Sequence, residues 1–257
     1  SMSALTQFAE WLAKHQHRDP KYGHIYKYHS RSDAHSIAVC TFVAEDLLAQ
    51  CDVLRGQTSA GKIAFGINIK HLWPNGKKKT IDLAIGRPKT LDPGGSPIKG
   101  FPKAVEMSEV FISCEAKTAM TEHKKSQPRI FDELGSSHEI AHQGRPNAIA
   151  VGITMVNIAD KFASPLRQKS RKNIFYLPHR QPDATASMIE HLRGLPIRDA
   201  VGQPGFDAYC TFVVKTDNIS SASLWTDPPA PQPGEKDHYQ TAVSRITRFY
   251  SERFGSI

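Results

Sequence analysis

EVFISCEAK, residues 109–117, is the stretch on which the fold turns. Val110, Ile112, Cys114 and Ala116 alternate with Glu109, Phe111, Ser113, Glu115 and Lys117. Successive side chains on a strand point to opposite faces, so one face is apolar and the other carries Glu115 and Lys117 side by side. Upstream, KKKTIDLAI (77–85) puts Ile81, Leu83 and Ile85 on a core face and Thr80, Asp82 and Ala84 opposite. Asn75-Gly76 marks a hairpin turn before it. KIAFGINIK (62–70) alternates too, with Ile63, Phe65, Ile67 and Ile69 on one side. Further back, Ser32 or Asp33 can cap a helix that runs to Cys51, with an apolar stripe of Ile37, Cys40, Ala44, Leu47, Leu48 and Cys51. Downstream, a helix is expected to start near Pro128 and end before Gly144. NAIAVGITMVNI (147–158) is apolar on both faces, as a central strand must be. The order helix, strand, strand, strand, helix, strand predicts an α/β fold with a mixed central sheet flanked by helices.

Around this core, residues 4–15 read as a short amphipathic helix, and residues 15–35 as a surface loop rich in histidine, tyrosine and base. GRPKTLDPGGSPIKGFPK (86–103) reads as one long basic loop between the two polar-faced strands. After residue 160 come a basic stretch to Arg180, a helix at 183–193, a strand at 207–215, a Pro-rich linker at 227–234 and a helix at 237–253. The expected organisation is an N-terminal helix and loop (1–31), a core (32–160) and a C-terminal α/β extension (161–257) that packs on the core.

The 257 residues are enough for a sizeable core. No apolar run reaches the ~18 residues that a membrane-spanning helix needs. No signal peptide is read, and Ser1-Met2-Ser3 looks like a cloning remnant. The net charge of +8 favours a polyanionic partner, although a mildly basic soluble protein has the same balance. Cys40, Cys51, Cys114 and Cys210 are far apart and form no CxxC, which points to buried reduced thiols and a cytoplasmic protein rather than disulfides or a thiolate zinc site.

Asp82, Glu115 and Lys117 carry the chemistry. Two carboxylates on paired strands suit a hard cation such as Mg²⁺, which polarises a phosphoryl oxygen and lowers the pKa of a bound water. A lysine beside them can orient or deprotonate that water and offset the charge of a pentavalent transition state. Glu-x-Lys alone is a weak pattern, and an exposed ion pair between Glu115 and Lys117 is the plain structural alternative. Clustered cations suggest contacts to double-stranded DNA: Arg87, Lys89, Lys99 and Lys103 ahead of the catalytic strand, and Lys169, Arg171 and Lys172 beyond the core.

The segment from about Ser32 to Asn157 resembles the PD-(D/E)XK nuclease superfamily, the restriction-endonuclease-like fold, over about half the chain. The resemblance implies a Mg²⁺-dependent DNA endonuclease, with Mn²⁺ able to substitute, of restriction or phage-defence type. Holliday-junction resolvases and repair nucleases share the same constellation. It gives metal binding to Asp82 and Glu115, water activation to Lys117, and an added acidic ligand to Glu45. Ile81 stands where a proline often precedes the aspartate. Gln127 falls where some members carry a glutamine, with Arg129 following, and either can touch DNA. Cutting both strands of a duplex needs two sites, so a homodimer is expected.

His138-Glu139-Ile140-Ala141-His142 is a literal HExxH, the pattern of zinc metallopeptidases. The helix stops at once at Gly144, and only Glu190 offers itself as a third ligand. A polar helix carrying His138 and His142, or a non-catalytic DNA-binding module, are the other readings.

Overall fold

The computed structural model describes residues 3–257, and Ser1 and Met2 of the expected cloning remnant lie outside the described residues. Helix α1 (Ala4–Lys14) is followed by a two-strand ribbon, β1 (His17–Arg18) with β2 (Ile25–Tyr26), and by helices α2 (Ala34–Gln50) and α3 (Asp52–Ser59). Strands β3 (Ala64–Leu72), β4 (Lys78–Leu91) and β5 (Ala104–Ala119) lead to helix α4 (His123–Gly144) and strand β6 (Ile149–Asn157). A second ribbon, β7 (Lys161–Phe162) with β8 (Leu177–Pro178), precedes helix α5 (Asp183–Leu192), strands β9 (Ala208–Thr216) and β10 (Ala222–Trp225), and helix α6 (Tyr239–Phe254). The central sheet has six strands in the order β10-β9-β6-β5-β4-β3. β5, β6 and β9 are parallel neighbours; the outer pairings are antiparallel. The expected α/β class with a mixed sheet flanked by helices is therefore correct, and β9 and β10 extend that same sheet.

Alternation along β6 sorts the two faces. Ile149, Val151, Ile153 and Met155 pack with α1, α2 and α6, while Ala148, Ala150 and Val156 pack with α4 and α5. The four cysteines are all buried and free. Among the described residues no helix is long and apolar enough to cross a membrane.

Three departures from strict alternation matter. Asn68 takes a positive φ of 53°, and beyond it the strand faces exchange: Ile69 and Ile81 join the α4 side, although Ile63, Phe65, Leu83 and Ile85 lie on the α2 side. The single shared face expected for Ile63 to Ile69, and for Ile81 to Ile85, is thus corrected. Second, Ile85 faces Ile112 but Gly86 faces Val110, so Phe111 is the extra residue of a bulge. Phe111 was expected on the polar face with Glu115; it is buried instead and stacks on Phe254 with ring centroids 4.5 Å apart. Gly86 permits this, because a Cβ there would stand 2.0 Å from the Glu109 carbonyl oxygen. Third, the basic loop is shorter than expected: β4 runs to Leu91 and β5 begins at Ala104. Pro88 fits within β4 because β3 pairs no further than Gly86, leaving an edge where no N–H is needed.

Helix α4 starts at His123 rather than near Pro128, so the proline sits inside it. Near a helix start the missing N–H costs one bond, to Lys124, and the turn before it is still closed by Lys125 and Ser126 donating to the Glu122 carbonyl. The histidine- and tyrosine-rich segment is less superficial than expected. Tyr26 and Tyr28 are buried, and the Tyr28 backbone is held on both sides by the buried Asn218.

Helix α6 closes the α2 side of the sheet. Gln57 donates to the Phe254 carbonyl at 2.6 Å and accepts from the Tyr250 hydroxyl at 2.7 Å. Arg253 and Arg198 both pair with one oxygen of the buried Asp207, at 2.7 and 2.9 Å. Burial opposes the charge on Asp207, but His142, Arg198 and the Ala150 N–H outweigh it and hold its pKa down at about 2.

Candidate active site

β4 and β5 stay laddered only as far as Leu83 and Cys114. From there β5 runs on beside β6 to Ala119, while the start of β4 is paired with β3 alone. The two strands fork, and the edge of β5 is left open. Asp82 stands in that fork. Its Oδ2 accepts the Ala116 N–H at 2.8 Å, a side chain taking the place of a lost ladder bond.

Glu115 and Lys117 flank Ala116 and point to the α4 side, as the alternation predicts. Glu115 lies deeper than a solvent face, at 7% exposure. Such a charge must be paired. Lys117 Nζ meets Oε1 at 2.7 Å, and Lys79 Nζ meets Oε2 at 3.0 Å. Ser137 Oγ of α4 donates to the same Oε2 at 3.4 Å. Lys117 also bonds Glu133 of α4 at 3.1 Å, and Glu133 is held in turn by Arg129 at 3.0 Å. The three expected residues therefore come together around one peptide unit.

The electrostatics fit that crowding. Burial and then the neighbouring Glu115 raise the Asp82 carboxyl to about 6. Burial opposes the charge on Lys117 too, but Glu115 and Glu133 prevail and push its pKa above the ordinary lysine value. Lys117 is thus held as a cation.

Asp82 and Glu115, flanking one peptide unit, are a fitting donor set for a hard divalent cation. Mg²⁺ needs no more than one or two protein carboxylates, because it keeps several waters. Lys79 would have to release Glu115 first. Among the described residues no third acidic or histidine group joins the pair. Glu45 does not: it is exposed on α2, whose buried side (Val39, Cys40, Val43, Ala44 and Leu47) covers the opposite face of the sheet. The metal-ligand role expected for Glu45 is corrected on that ground.

Beside Lys117 opens a cleft of about 740 Å³, lined by the end of β5, the start of α4, Tyr28, His35 and the Phe162–Arg167 segment. Of the residues expected to touch DNA, Arg129 lies on this cleft, while Gln127 bonds Ser187 at 3.1 Å between α4 and α5. Lys169, Arg171 and Lys172 are exposed on the strap between β7 and β8. That strap leans on the N-terminal basic segment through His24 to the Ser170 carbonyl, 2.8 Å. Arg87, Lys89, Lys99 and Lys103 are placed differently from the expectation. They sit toward the far end of the β4–β5 hairpin, whose tip is eight residues, or about 27 Å, from the fork. Arg87 pairs with Glu109 at 2.7 Å, Lys89 with Glu106 at 3.4 Å and Lys103 with Asp92 at 2.8 Å. These four residues, expected as DNA contacts ahead of the strand bearing Glu115 and Lys117, therefore lie on a hairpin that opens away from Asp82, Glu115 and Lys117, which corrects their expected place.

The HExxH residues lie on α4 but gather no third ligand among the described residues. His142 Nε2 is engaged with Asp207 at 3.0 Å, and the His138 ring lies 6.1 Å from that of His142. Burial, then His142, lower the His138 pKa to about 4, so it is a neutral core side chain packed on Phe206. Glu139 is exposed, and Glu190 is exposed on α5.

Sequence reasoning missed Lys79, Glu133 and Ser137. Glu133 had a signal, four residues after Arg129 on one helix face. Lys79 had none, since one lysine in a run of three is indistinguishable from its neighbours. No family model, no curated protein and no solved structure matches the chain.

Proposed function

We propose that the chain is a divalent-metal-dependent deoxyribonuclease on a restriction-endonuclease-like core. The observation that carries the reading is the strand fork, where Asp82 and Glu115 flank the Ala116 peptide and Lys117 stands 2.7 Å from Glu115. The element order from α2 through β6 supports that reading, with α3 inserted between the first helix and the first strand of the core. Asp82 and Glu115 would hold Mg²⁺ or Mn²⁺. When bound, such an ion supplies Lewis-acid polarisation of the phosphate and acidifies water. Lys117, kept as a cation by Glu115 and Glu133, orients a water at the phosphate and offsets the charge that grows on the phosphoryl oxygens. Ser137 and Ala116 keep the two carboxylates in place. The exposed cations of the β7–β8 strap and Arg129 bind the DNA backbone. Double-stranded DNA is the partner class, and two copies of the chain would serve its two strands.

Incubation of the protein with plasmid DNA tests this. Nicked or linear products in Mg²⁺ or Mn²⁺, absent in EDTA, are expected. Cleavage that survives EDTA removes the metal from the reading, and failure to cut either plasmid or single-stranded DNA in any metal removes the nuclease.

A further inference from the structure

We propose that the cleft beside Lys117 is a binding site for one unpaired nucleotide of DNA, so that the strand is read and cut where a base has left the stack. This rests on the nuclease reading above and adds the form of the substrate. The cleft's volume of about 740 Å³ lies within the range of about 300–1,000 Å³ usual for sites that enclose small ligands. A B-form duplex, whose major groove alone accommodates an α-helix, is far bulkier than that volume, whereas one nucleotide fits within it.

The lining matches that occupant on both counts. One side is aromatic and apolar: the Tyr28 ring lies 4.6 Å from His35 and 6.3 Å from Phe162. The Tyr28 hydroxyl is fixed to Thr118 at 2.7 Å, next to Lys117 in the strand. Leu166 overhangs this wall at 52% exposure, a large apolar side chain left in water. Tyr28 and Phe162 are themselves buried, so what the cleft offers an unstacked base is the exposed Leu166 beside an aromatic floor. The lining also bears cations, Arg129 and Arg167 among them, each also paired to a carboxylate (Glu133 and Glu122). Four lysine and arginine side chains face two carboxylates around the cleft, so a phosphodiester is electrostatically favoured there. Lys117 belongs both to this lining and to the Glu115 pair, which puts the nucleotide cleft beside the proposed cutting groups.

Binding measured in EDTA separates this from catalysis. Fluorescence anisotropy would compare one labelled sequence as a single strand, as a perfect duplex and as a duplex with a one-nucleotide bulge. The single strand or the bulged duplex is expected to bind roughly tenfold or more tighter than the perfect duplex, a typical value for stacking one base. Preference for the bulge alone identifies an extruded base, and preference for the single strand identifies a single-stranded substrate. Leu166→Glu should erase the preference. Leu91→Glu, the same change at an exposed leucine on the far end of β4, should keep it. Equal affinity for all three forms overturns the proposal, as does a preference that survives Leu166→Glu. If the three bind equally and plasmid is still cut in Mg²⁺, only the nucleotide site falls; if nothing is bound or cut, the nuclease reading falls with it.

Discussion

Asp82→Asn should make the protein more stable at neutral pH while ending its activity. Folding raises the Asp82 carboxyl from 3.8 to about 6, chiefly by burial and then by Glu115. An acid whose pKa is raised on folding favours the folded state only in its protonated form. Its contribution is full below pH 3.8, fades as pH rises through 6 and is gone at pH 7. At about 1.4 kcal/mol per pKa unit, an ionised Asp82 at pH 7 costs the fold about 3 kcal/mol. The variant avoids that cost and can still accept the Ala116 N–H through its amide oxygen. That cost is already net of the attraction of Lys79 and Lys117, but the new amide NH2 needs a partner in the fork, which leaves a net gain of about 1–2 kcal/mol. Urea denaturation at neutral pH and again near pH 4.5 would read this as a rise in midpoint at unchanged slope, large at neutral pH and small in acid. Ca²⁺ should raise the midpoint of the natural protein at neutral pH and leave that of the variant unmoved. A variant that is less stable at neutral pH, or equally stabilised at both pH values, would refute the electrostatic account of the fork.

Lys117→Ala should abolish plasmid cutting with DNA affinity within about twofold of the parent, because one cation is a small share of the charge that faces the phosphates; a strong loss of binding would make Lys117 a DNA anchor instead. Replacing Lys169, Arg171 and Lys172 together by alanine should flatten the slope of log affinity against log salt by up to about 3, at about 0.9 for each phosphate no longer neutralised; an unchanged slope would leave the strap out of the interface. Gly86→Ala should destabilise by about 3 kcal/mol in urea, since its Cβ meets the Glu109 carbonyl in the bulge and backbone must move; a neutral result would mean that the bulge yields freely.

The site was legible because its residues obey period two where they matter. Glu115 and Lys117 lie beyond the bulge at Phe111, and from Ile112 onward the alternation is unbroken. Asp82 was placed on the right strand, but for an incomplete reason. It is set by the fork, a pairing that ends, and no local pattern announces where two strands part. Phe111 and the exchange of faces at Asn68 were misread because an inserted residue or a left-handed one inverts everything after it. Gly86, an isolated glycine in a strand, was the one sign of irregularity there, and it was read as the start of a loop. Glu45 failed because a helix stripe tells which face is buried, not which side of the sheet it covers. Lys79 and Glu133 reach Glu115 and Lys117 through long, flexible side chains, and such contacts are decided by packing alone.

The closure made by α6 has a consequence for how the chain is made. The bond from Gln57 to the Phe254 carbonyl spans 197 residues, and the partners of Phe111 and Asp207 in α6 are synthesised well after the strands they pack on. At about 5–20 residues per second, roughly ten to forty seconds separate the translation of residue 57 from that of residue 254. Until α6 follows, the part of the α2 side around Phe111 that only this helix covers lies bare, while α1 and α2 cover the rest. The nascent chain therefore carries an adhesive patch as it emerges, and a chaperone would protect it until α6 docks.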